Sequence, residues 1–258
     1  MLRHLDLFSG VGGFSLAAKQ LGGIQTTQFV EINTDAQSVL RSHFPGVPID
    51  GDIRDYQPKS GRFDLITMGF PCTGTSNAGS RTGLKHPASS LWREGIRCLI
   101  QARPKFCVIE QPEGVVGRGL RSVLGGLRMA GYQSEVEIVS ASELGAGHQR
   151  LRLFIVSYLD EWADRFSKAP CWSDQMREMV QRQRVNSQWL TARKSGDRID
   201  YGIPEGVVRF TVPNRTKGRI KSRYLAGRTV TPGQASIALR RVLYLNSLSS
   251  QAATQTAI

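Results

Sequence analysis

Short apolar runs alternate with longer amphipathic stretches through the first 158 residues of the chain. Runs of strand length cover residues 4–8, 27–30, 63–68, 105–109, 136–139 and 153–157, and a further short strand precedes Asp52. Helical spacing of apolar positions marks residues 14–21, 90–102 and 120–129. This alternation predicts an α/β fold with a doubly wound, mostly parallel sheet that is covered by helices on both faces.

The alternation stops after Tyr158. Residues 159–229 are polar and basic, rich in Gly, Pro, Arg and Gln, and without sustained periodicity. An apolar helical pattern returns over residues 234–245, with Pro232 near its start. We therefore expect one α/β domain built from residues 1–164 and completed by residues 230–258, with a small basic domain at residues 165–229 inserted between them. The C-terminal helix is expected to lie beside the first helix.

Positive charge is concentrated in the inserted segment. The whole chain has a net charge of +13. Between Arg165 and Thr229, 15 Lys and Arg residues stand against 5 Asp and Glu residues. A solubilising surface does not require so uneven a distribution, so the segment favours a phosphate backbone as its partner. Its densest part has six basic residues and no acid, namely Arg209, Arg215, Lys217, Arg219, Lys221 and Arg223.

Composition and cysteine usage argue against a membrane-spanning, a secreted or a metal-binding protein. No run of 18 apolar residues occurs, and the start of the chain lacks the apolar segment of a secretory signal. We expect a monomeric, cytoplasmic protein without a membrane partner. The four cysteines form no C-x-x-C pair and have no histidine cluster, so no metal site is predicted. Cys98 and Cys107 lie in apolar patterns and are predicted to be core residues.

A glycine-rich turn, DLFSGVGGF at residues 6–14, follows the first predicted strand. It lacks the Gly-Lys-Ser/Thr ending of a phosphate-binding loop, and Ser15 stands at the third glycine of the dinucleotide fingerprint. What remains is a turn whose backbone can approach a ligand closely at a helix N-terminus. Glu31 ends the second strand, where an acid in this architecture binds ribose hydroxyls, and Asp52 follows the third, suited to an adenine amino group. Together these residues indicate a nucleoside cofactor.

Cys72 and Glu110 are the candidate reactive groups. Cys72 follows directly on a predicted strand in the segment Gly69-Phe70-Pro71-Cys72, and Glu110 ends the next strand. The carboxyl ends of neighbouring parallel strands meet at one edge of the sheet, where ligands bind in open α/β folds. A carboxylate at the end of a buried apolar strand is unusual unless the acid is used. We therefore expect the thiol and the carboxyl group to share one site.

In this order, the motifs resemble those of the DNA cytosine-5 methyltransferases. The resemblance rests on DLFSGxGG, Glu31, GDI at residues 51–53, GFPC at residues 69–72, Glu110 and RxR at residues 150–152. The SNAGSR stretch at residues 76–81 matches the family's catalytic loop, and Leu91-Trp92 matches a cofactor contact. The resemblance is nearly continuous over residues 1–158 and resumes at 233–236, whereas 159–229 corresponds to the family's variable target-recognition region.

This resemblance implies a class I methyltransferase-like fold, S-adenosylmethionine as cofactor and double-stranded DNA as partner. It implies that Cys72 attacks carbon 6 of a flipped-out cytosine, that Glu110 holds ring nitrogen 3, and that Arg152 with Arg150 stabilises the ring oxygen or nearby phosphates. The implied cofactor-binding residues are Asp6, Phe8, Gly10, Gly12, Gly13, Phe14, Glu31, Ile32, Asp52, Ile53, Pro71, Leu91, Gln234 and Ser236.

Four positions depart from the family pattern. Thr73 stands for Gln, Gln111-Pro112 for Asn-Val, His148 for Gln before the arginines, and Gln234 for Asn. These changes affect target geometry and turnover rate more than the type of reaction. Three alternatives stay open: an RNA cytosine methyltransferase, a catalytically silent DNA-binding regulator and, more weakly, a cysteine hydrolase. His148 is a polar site group or an ordinary loop residue.

Overall fold

Seven strands form one sheet in the computed structural model, in the order β3-β2-β1-β4-β5-β7-β6. The structure describes residues 1–77, 79–146, 149–185 and 229–255. The strands are β1 (Leu2–Leu7), β2 (Ile24–Val30), β3 (Ile49–Asp50), β4 (Leu65–Met68), β5 (Phe106–Pro112), β6 (Tyr132–Ser140) and β7 (Leu151–Leu159). Within the described residues β1 to β5 pair in parallel, and β7 runs antiparallel to both β5 and β6. The predicted doubly wound, mostly parallel sheet is thus confirmed.

Helices cover both faces of this sheet. They are α1 (Gly13–Leu21), α2 (Thr34–His43), α3 (Trp92–Ala102), α4 (Val115–Arg118), α5 (Leu120–Met129), α6 (Ala163–Phe166), α7 (Trp172–Val185) and α8 (Pro232–Gln255). One buried cluster joins α1 and α8 to the sheet, and it includes Phe14, Phe154 and Leu239. A second cluster, including Ile109 and Leu127, joins α3 and α5 to the opposite face. Cys98 and Cys107 are fully buried there, as their apolar surroundings predicted.

The sequence pattern missed α2. Only Ala36, Val39 and Leu40 of this helix are buried, so its apolar stripe is too short to give a clear helical period. A capping signal was nevertheless present. Asn33 is the N-cap, and its side-chain oxygen accepts a hydrogen bond of 3.0 Å from the backbone N–H of Ala36.

The C-terminal helix lies beside the first helix, as expected. A Cβ atom on Gly13 would lie 2.2 Å from the carbonyl oxygen of Val230, so only glycine permits the two segments to approach this closely. The helix begins at Pro232 and ends at Gln255, ten residues beyond the predicted end at 245. Lys105 fixes part of this extension, because its ammonium group donates hydrogen bonds to Asn246 and Ser249.

Residues 165–185, which we assigned to the inserted basic domain, contribute side chains that pack on the seven-stranded sheet. Phe166 and Trp172 are buried in the cluster that contains α8. Arg241 of α8 pairs with Glu135 of β6 and donates to Gln175 of α7. Residues 186–228, with the basic run at 209–223, and His148 lie outside the described residues, so the domain boundaries stay a prediction. No described helix is long and apolar enough to cross a membrane.

Candidate active site

Cys72, Glu110 and Arg152 come together at the carboxyl edge of β4 and β5. The Cys72 loop begins where β4 ends, and a Cβ atom added to Gly69 in that loop would lie 3.2 Å from Oε2 of Glu110. Arg152 enters from β7, which runs antiparallel to β5 with Arg152 opposite Pro112. Its Nε lies 2.8 Å from Oε1 of Glu110, and both side chains are largely buried.

The surroundings of Cys72 set the charge of its thiol. Burial raises the thiol pKa above its ordinary value, and the nearby carboxylate of Glu110 raises it further. Arg152 and a hydrogen bond involving Ser76 act in the opposite direction but do not cancel the increase. In this state the thiol is therefore protonated at neutral pH. Nucleophilic attack requires a change in this environment or a group that accepts the proton.

Gln111 holds the Cys72 loop and was not among the predicted site residues. Its amide N–H donates to the carbonyl oxygen of Phe70 at 2.7 Å, and its amide oxygen accepts from the hydroxyl of Thr75 at 3.2 Å. Thr75 is fully buried, and its backbone N–H donates to the carbonyl oxygen of Cys72 at 3.0 Å. Arg118 donates to the carbonyl oxygen of Thr75 at 3.1 Å. The departure from Asn at residue 111 was the one signal in the sequence for this role.

The two arginines of the RxR motif have different partners. Arg152 pairs with Glu110, whereas Nη2 of Arg150 donates to the carbonyl oxygen of Thr229 at 2.8 Å. Thr229 lies against the glycine turn, since a Cβ atom on Gly10 would be 3.1 Å from its hydroxyl oxygen. The structure therefore places Arg152 with Cys72 and Glu110 and connects Arg150 to the segment that precedes α8.

Glu31, which follows β2, accepts a hydrogen bond from the glycine turn between β1 and α1. Its two carboxylate oxygens accept backbone N–H groups, one from Gly10 at 2.7 Å and one from Asn33 at 2.8 Å. Burial raises the pKa of Glu31. Phe8, Gly10 and Gly12 all have positive φ angles, of 53°, 55° and 86°. The turn thus places backbone groups and one carboxylate at the N-terminus of α1, an arrangement suited to a polar ligand.

Asp6 faces the interior behind this turn. It is 1% exposed, and its oxygens accept hydrogen bonds from Ser15 at 2.7 Å and Thr67 at 2.8 Å. Thr67 also bonds to Nε2 of the buried His4 at 2.7 Å, and Nδ1 of His4 bonds to Thr26 at 2.8 Å. Burial raises the pKa of Asp6 to about 7 and lowers that of His4 to about 3. This buried network joins β1 to α1, β4 and β2 beside the glycine turn.

Other predicted cofactor residues lie at the open edge of the sheet. Ile32, next to Glu31, is 65% exposed. The carboxylate of Asp52 forms hydrogen bonds with Arg54, which lowers the pKa of Asp52 to about 2. Ile53 is buried, whereas Pro71 and Leu91 are partly buried and accessible.

The remaining predicted cofactor residues are engaged inside the fold. Phe14 is buried, with its ring edge-to-face against Phe154 at 6.4 Å. Gln234 is fully buried, and its amide N–H groups donate to Val139 at 2.8 Å and Arg150 at 2.7 Å. The hydroxyl of Ser236 donates to its own helix, at the carbonyl of Gly233. A role in cofactor binding stays a prediction for all of these residues.

Comparison with known proteins identifies the family. The sequence model described as C-5 cytosine-specific DNA methylase matches residues 2–197, more than half of the chain. The chain belongs to this family. Among its relatives, the Type II methyltransferase M.CviJI of Paramecium bursaria Chlorella virus IL3A is 36% identical over 159 residues. M.HpaII of Haemophilus parainfluenzae is 31% identical over 163 residues. Each alignment covers 60% of this C-5 methylase but only 42% and 45% of those relatives, so it spans less than half of their length.

Solved structures agree on the fold of this C-5 methylase. The S. pombe Dnmt2 methyltransferase superposes with a TM-score of 0.63 at 17% identity, over 94% of this chain and 98% of that one. A Spodoptera frugiperda DNMT2 mutant superposes with a TM-score of 0.51 at 22% identity, over 62% and 50% of the two chains. At these identities the similarity shows the fold, and it confirms the predicted class I methyltransferase-like architecture.

Proposed function

We propose that this chain transfers a methyl group from S-adenosylmethionine to carbon 5 of cytosine in double-stranded DNA, with Cys72 as the nucleophile. The proposal is carried by the grouping of Cys72, Glu110 and Arg152 at one edge of the sheet. The 2.8 Å ion pair between Arg152 and Glu110 supports it. Cys98 and Cys107 are buried in the core, and Cys171 is exposed outside this grouping, so Cys72 is the cysteine that has such partners.

The residues at the glycine turn fit a nucleoside cofactor. Gly10 and Gly12 keep the turn free of side chains at the N-terminus of α1, and Glu31 offers its carboxylate beside them. Ile32 gives an exposed apolar surface for a base, and the carboxylate of Asp52 lies near the end of β3. S-adenosylmethionine bound there supplies an electrophilic methyl group. We assign Phe8, Glu31, Ile32, Asp52, Pro71 and Leu91 to its binding.

The chain's own residues act on the cytosine ring. Cys72 gives up its thiol proton to solvent and its sulfur forms a bond to carbon 6, while the electron pair of the carbon 5–carbon 6 double bond moves to make carbon 5 nucleophilic. Glu110 holds a proton at ring nitrogen 3, which favours this addition, and Arg152 orients the carboxyl group of Glu110. After methyl transfer, loss of the carbon 5 proton restores the double bond and releases Cys72. The base must leave the duplex, because its ring face is inaccessible in the stack.

Methyl transfer by matched cysteine variants tests the proposal. Cys72→Ser is expected to abolish incorporation of a labelled methyl group into duplex DNA while leaving DNA and cofactor binding largely intact. Cys171→Ser, at an exposed cysteine, is the control and should keep full activity. DNA with 5-fluorocytosine at the target should form a stable adduct through Cys72, since fluorine cannot leave as a proton does. Activity in Cys72→Ser, or an active protein that forms no adduct, would refute the covalent mechanism.

The choice of substrate is tested separately. Duplex DNA and tRNA are offered to the wild-type protein under the same conditions, and methylation of DNA alone is expected. Methylation of tRNA alone would show that the substrate is RNA, while the proposed chemistry of the site would stay the same. The relatives M.CviJI and M.HpaII are named Type II methyltransferases. We therefore propose a modification enzyme of a restriction-modification system, and methylation-sensitive sequencing of DNA from expressing cells gives its target site.

A further inference from the structure

Gln111 connects both ends of the short loop that carries Cys72. The loop leaves β4, passes through Phe70 and Cys72, and turns at Thr75. Gln111 donates to the carbonyl oxygen of Phe70 on one side of Cys72 and accepts from Thr75 on the other, at 2.7 and 3.2 Å. The glutamine is 2% exposed and Thr75 is fully buried, so water does not compete for these two hydrogen bonds.

The position of Gln111 on β5, next to Glu110, connects the Cys72 loop to the strand that carries the acid. Glu110 and Gln111 are consecutive in a regular strand, so their side chains point to opposite faces of the sheet. Glu110 extends toward Arg152, on the face of the sheet to which α1 and α8 belong. Gln111 extends to the other face and reaches the loop of the nucleophile there. One rigid strand thereby fixes the acid directly and the thiol through its loop.

We propose that Gln111 is a positioning residue that sets the place of the Cys72 thiol relative to Glu110. The inference rests on the proposed function and extends it to a buried residue outside the proposed catalytic and cofactor-binding residues. The orientation of the amide is determined by its partners, since the carbonyl oxygen of Phe70 can only accept a hydrogen bond. Asparagine has one methylene fewer and cannot span both partners without a movement of the loop. Methionine has a similar length but forms neither bond.

The experiment compares a small reagent with the DNA substrate. All variants carry Cys171→Ser, so that Cys72 is the one cysteine of the four that is not buried or replaced. Gln111→Met and Gln111→Asn are compared with Gln28→Met, a control that removes another buried amide, 3% exposed and bonded to Pro48 and Asp50. For each protein we measure the rate of Cys72 alkylation by iodoacetamide over a pH series, the kcat and KM for duplex DNA, and the melting temperature.

A loosened loop affects the two reactions in opposite directions. In both Gln111 variants, alkylation of Cys72 should be faster and its pH midpoint lower, because the thiol gains solvent. Their kcat for methylation should fall by about 10- to 100-fold, the loss expected for a misplaced reacting group, with little change in KM. Gln28→Met should retain the wild-type alkylation profile and kcat, even if its melting temperature falls as far.

Two results would overturn the inference. In one, a folded Gln111 variant shows a wild-type alkylation profile and kcat. In the other, kcat and the alkylation rate change in all three variants, including Gln28→Met, and the size of the change follows the decrease in melting temperature. If Gln111→Met does not fold, Gln111→Asn decides by the same criteria. Failure of the proposed function itself is distinct, because the Cys171→Ser parent would then form no adduct with 5-fluorocytosine DNA while its Gln111 variants still changed the alkylation rate.

Discussion

Replacing Asp6 by asparagine is expected to change how the stability of the protein depends on pH. The pKa of Asp6 is raised from 3.8 to about 7 by burial, so the folded state resists its ionisation. The stability that Asp6 contributes is complete below about pH 4 and is lost as the pH rises toward 7. At about 1.4 kcal/mol per pH unit, the interval corresponds to roughly 4 kcal/mol, of which about 2–3 kcal/mol falls between pH 5 and pH 8.

The asparagine in Asp6→Asn would keep the two hydrogen bonds without a titrating group. Its oxygen can accept from Thr67, and its amide can donate to Ser15. His4 titrates in the opposite sense, because its pKa is lowered to about 3 and its contribution is lost as the pH falls from about 6.5. The wild-type curve alone is therefore nearly flat over much of this range. The difference between Asp6→Asn and the wild type isolates Asp6, since His4 is present in both.

Urea unfolding of the two proteins at pH 5 and pH 8, at equal ionic strength, measures this difference. Relative to the wild type, Asp6→Asn should gain about 2–3 kcal/mol between the two pH values. Asp64→Asn is the control, because the pKa of Asp64 is lowered by its contact with Arg3 and the group is ionised at both values. A difference between Asp6→Asn and wild type that is the same at pH 5 and pH 8 would show that Asp6 is already ionised throughout, and the reasoning would fail.

Two further variants test the packing of α8 and the cofactor site. Glu135→Leu should lower the free energy of unfolding by about 3–5 kcal/mol, because Arg241 is 1% exposed and would keep an uncompensated charge. Asp174→Asn, in an exposed ion pair, should change it by less than about 1 kcal/mol, and similar losses in both would contradict the argument. Glu31→Ala should weaken binding of S-adenosylmethionine by roughly 1–3 kcal/mol, through lost ribose contacts and a freed Gly10 N–H. Unchanged affinity in calorimetry would remove Glu31 from the site.

The sequence alone predicted the sheet, four of the eight described α-helices and the position of Cys72 at the carboxyl end of a strand. Buried parallel strands form continuous apolar runs, so the sequence pattern alone predicted β4 and the first half of β5. A ligand site at the carboxyl ends of such strands follows from the architecture, which placed Cys72 and Glu110 at one edge. The pattern gave no helical period for α2, which buries only three residues, for α4, α6 and α7, or for the last ten residues of α8, which are mostly small or polar.

Tertiary structure decided which polar side chains meet. Asp6 lies between Leu5 and Leu7 in a strand buried on both faces, so alternation could not show that its carboxylate is bonded inside the fold to Ser15 and Thr67. The antiparallel register of β7 on β5 brings Arg152 to Glu110, while Arg150, just before the strand, contacts the segment leading to α8. Gln111 acquires its role from a loop about 40 residues earlier in the chain. Hydrogen bonds between distant segments depend on register and approach, which local pattern does not encode.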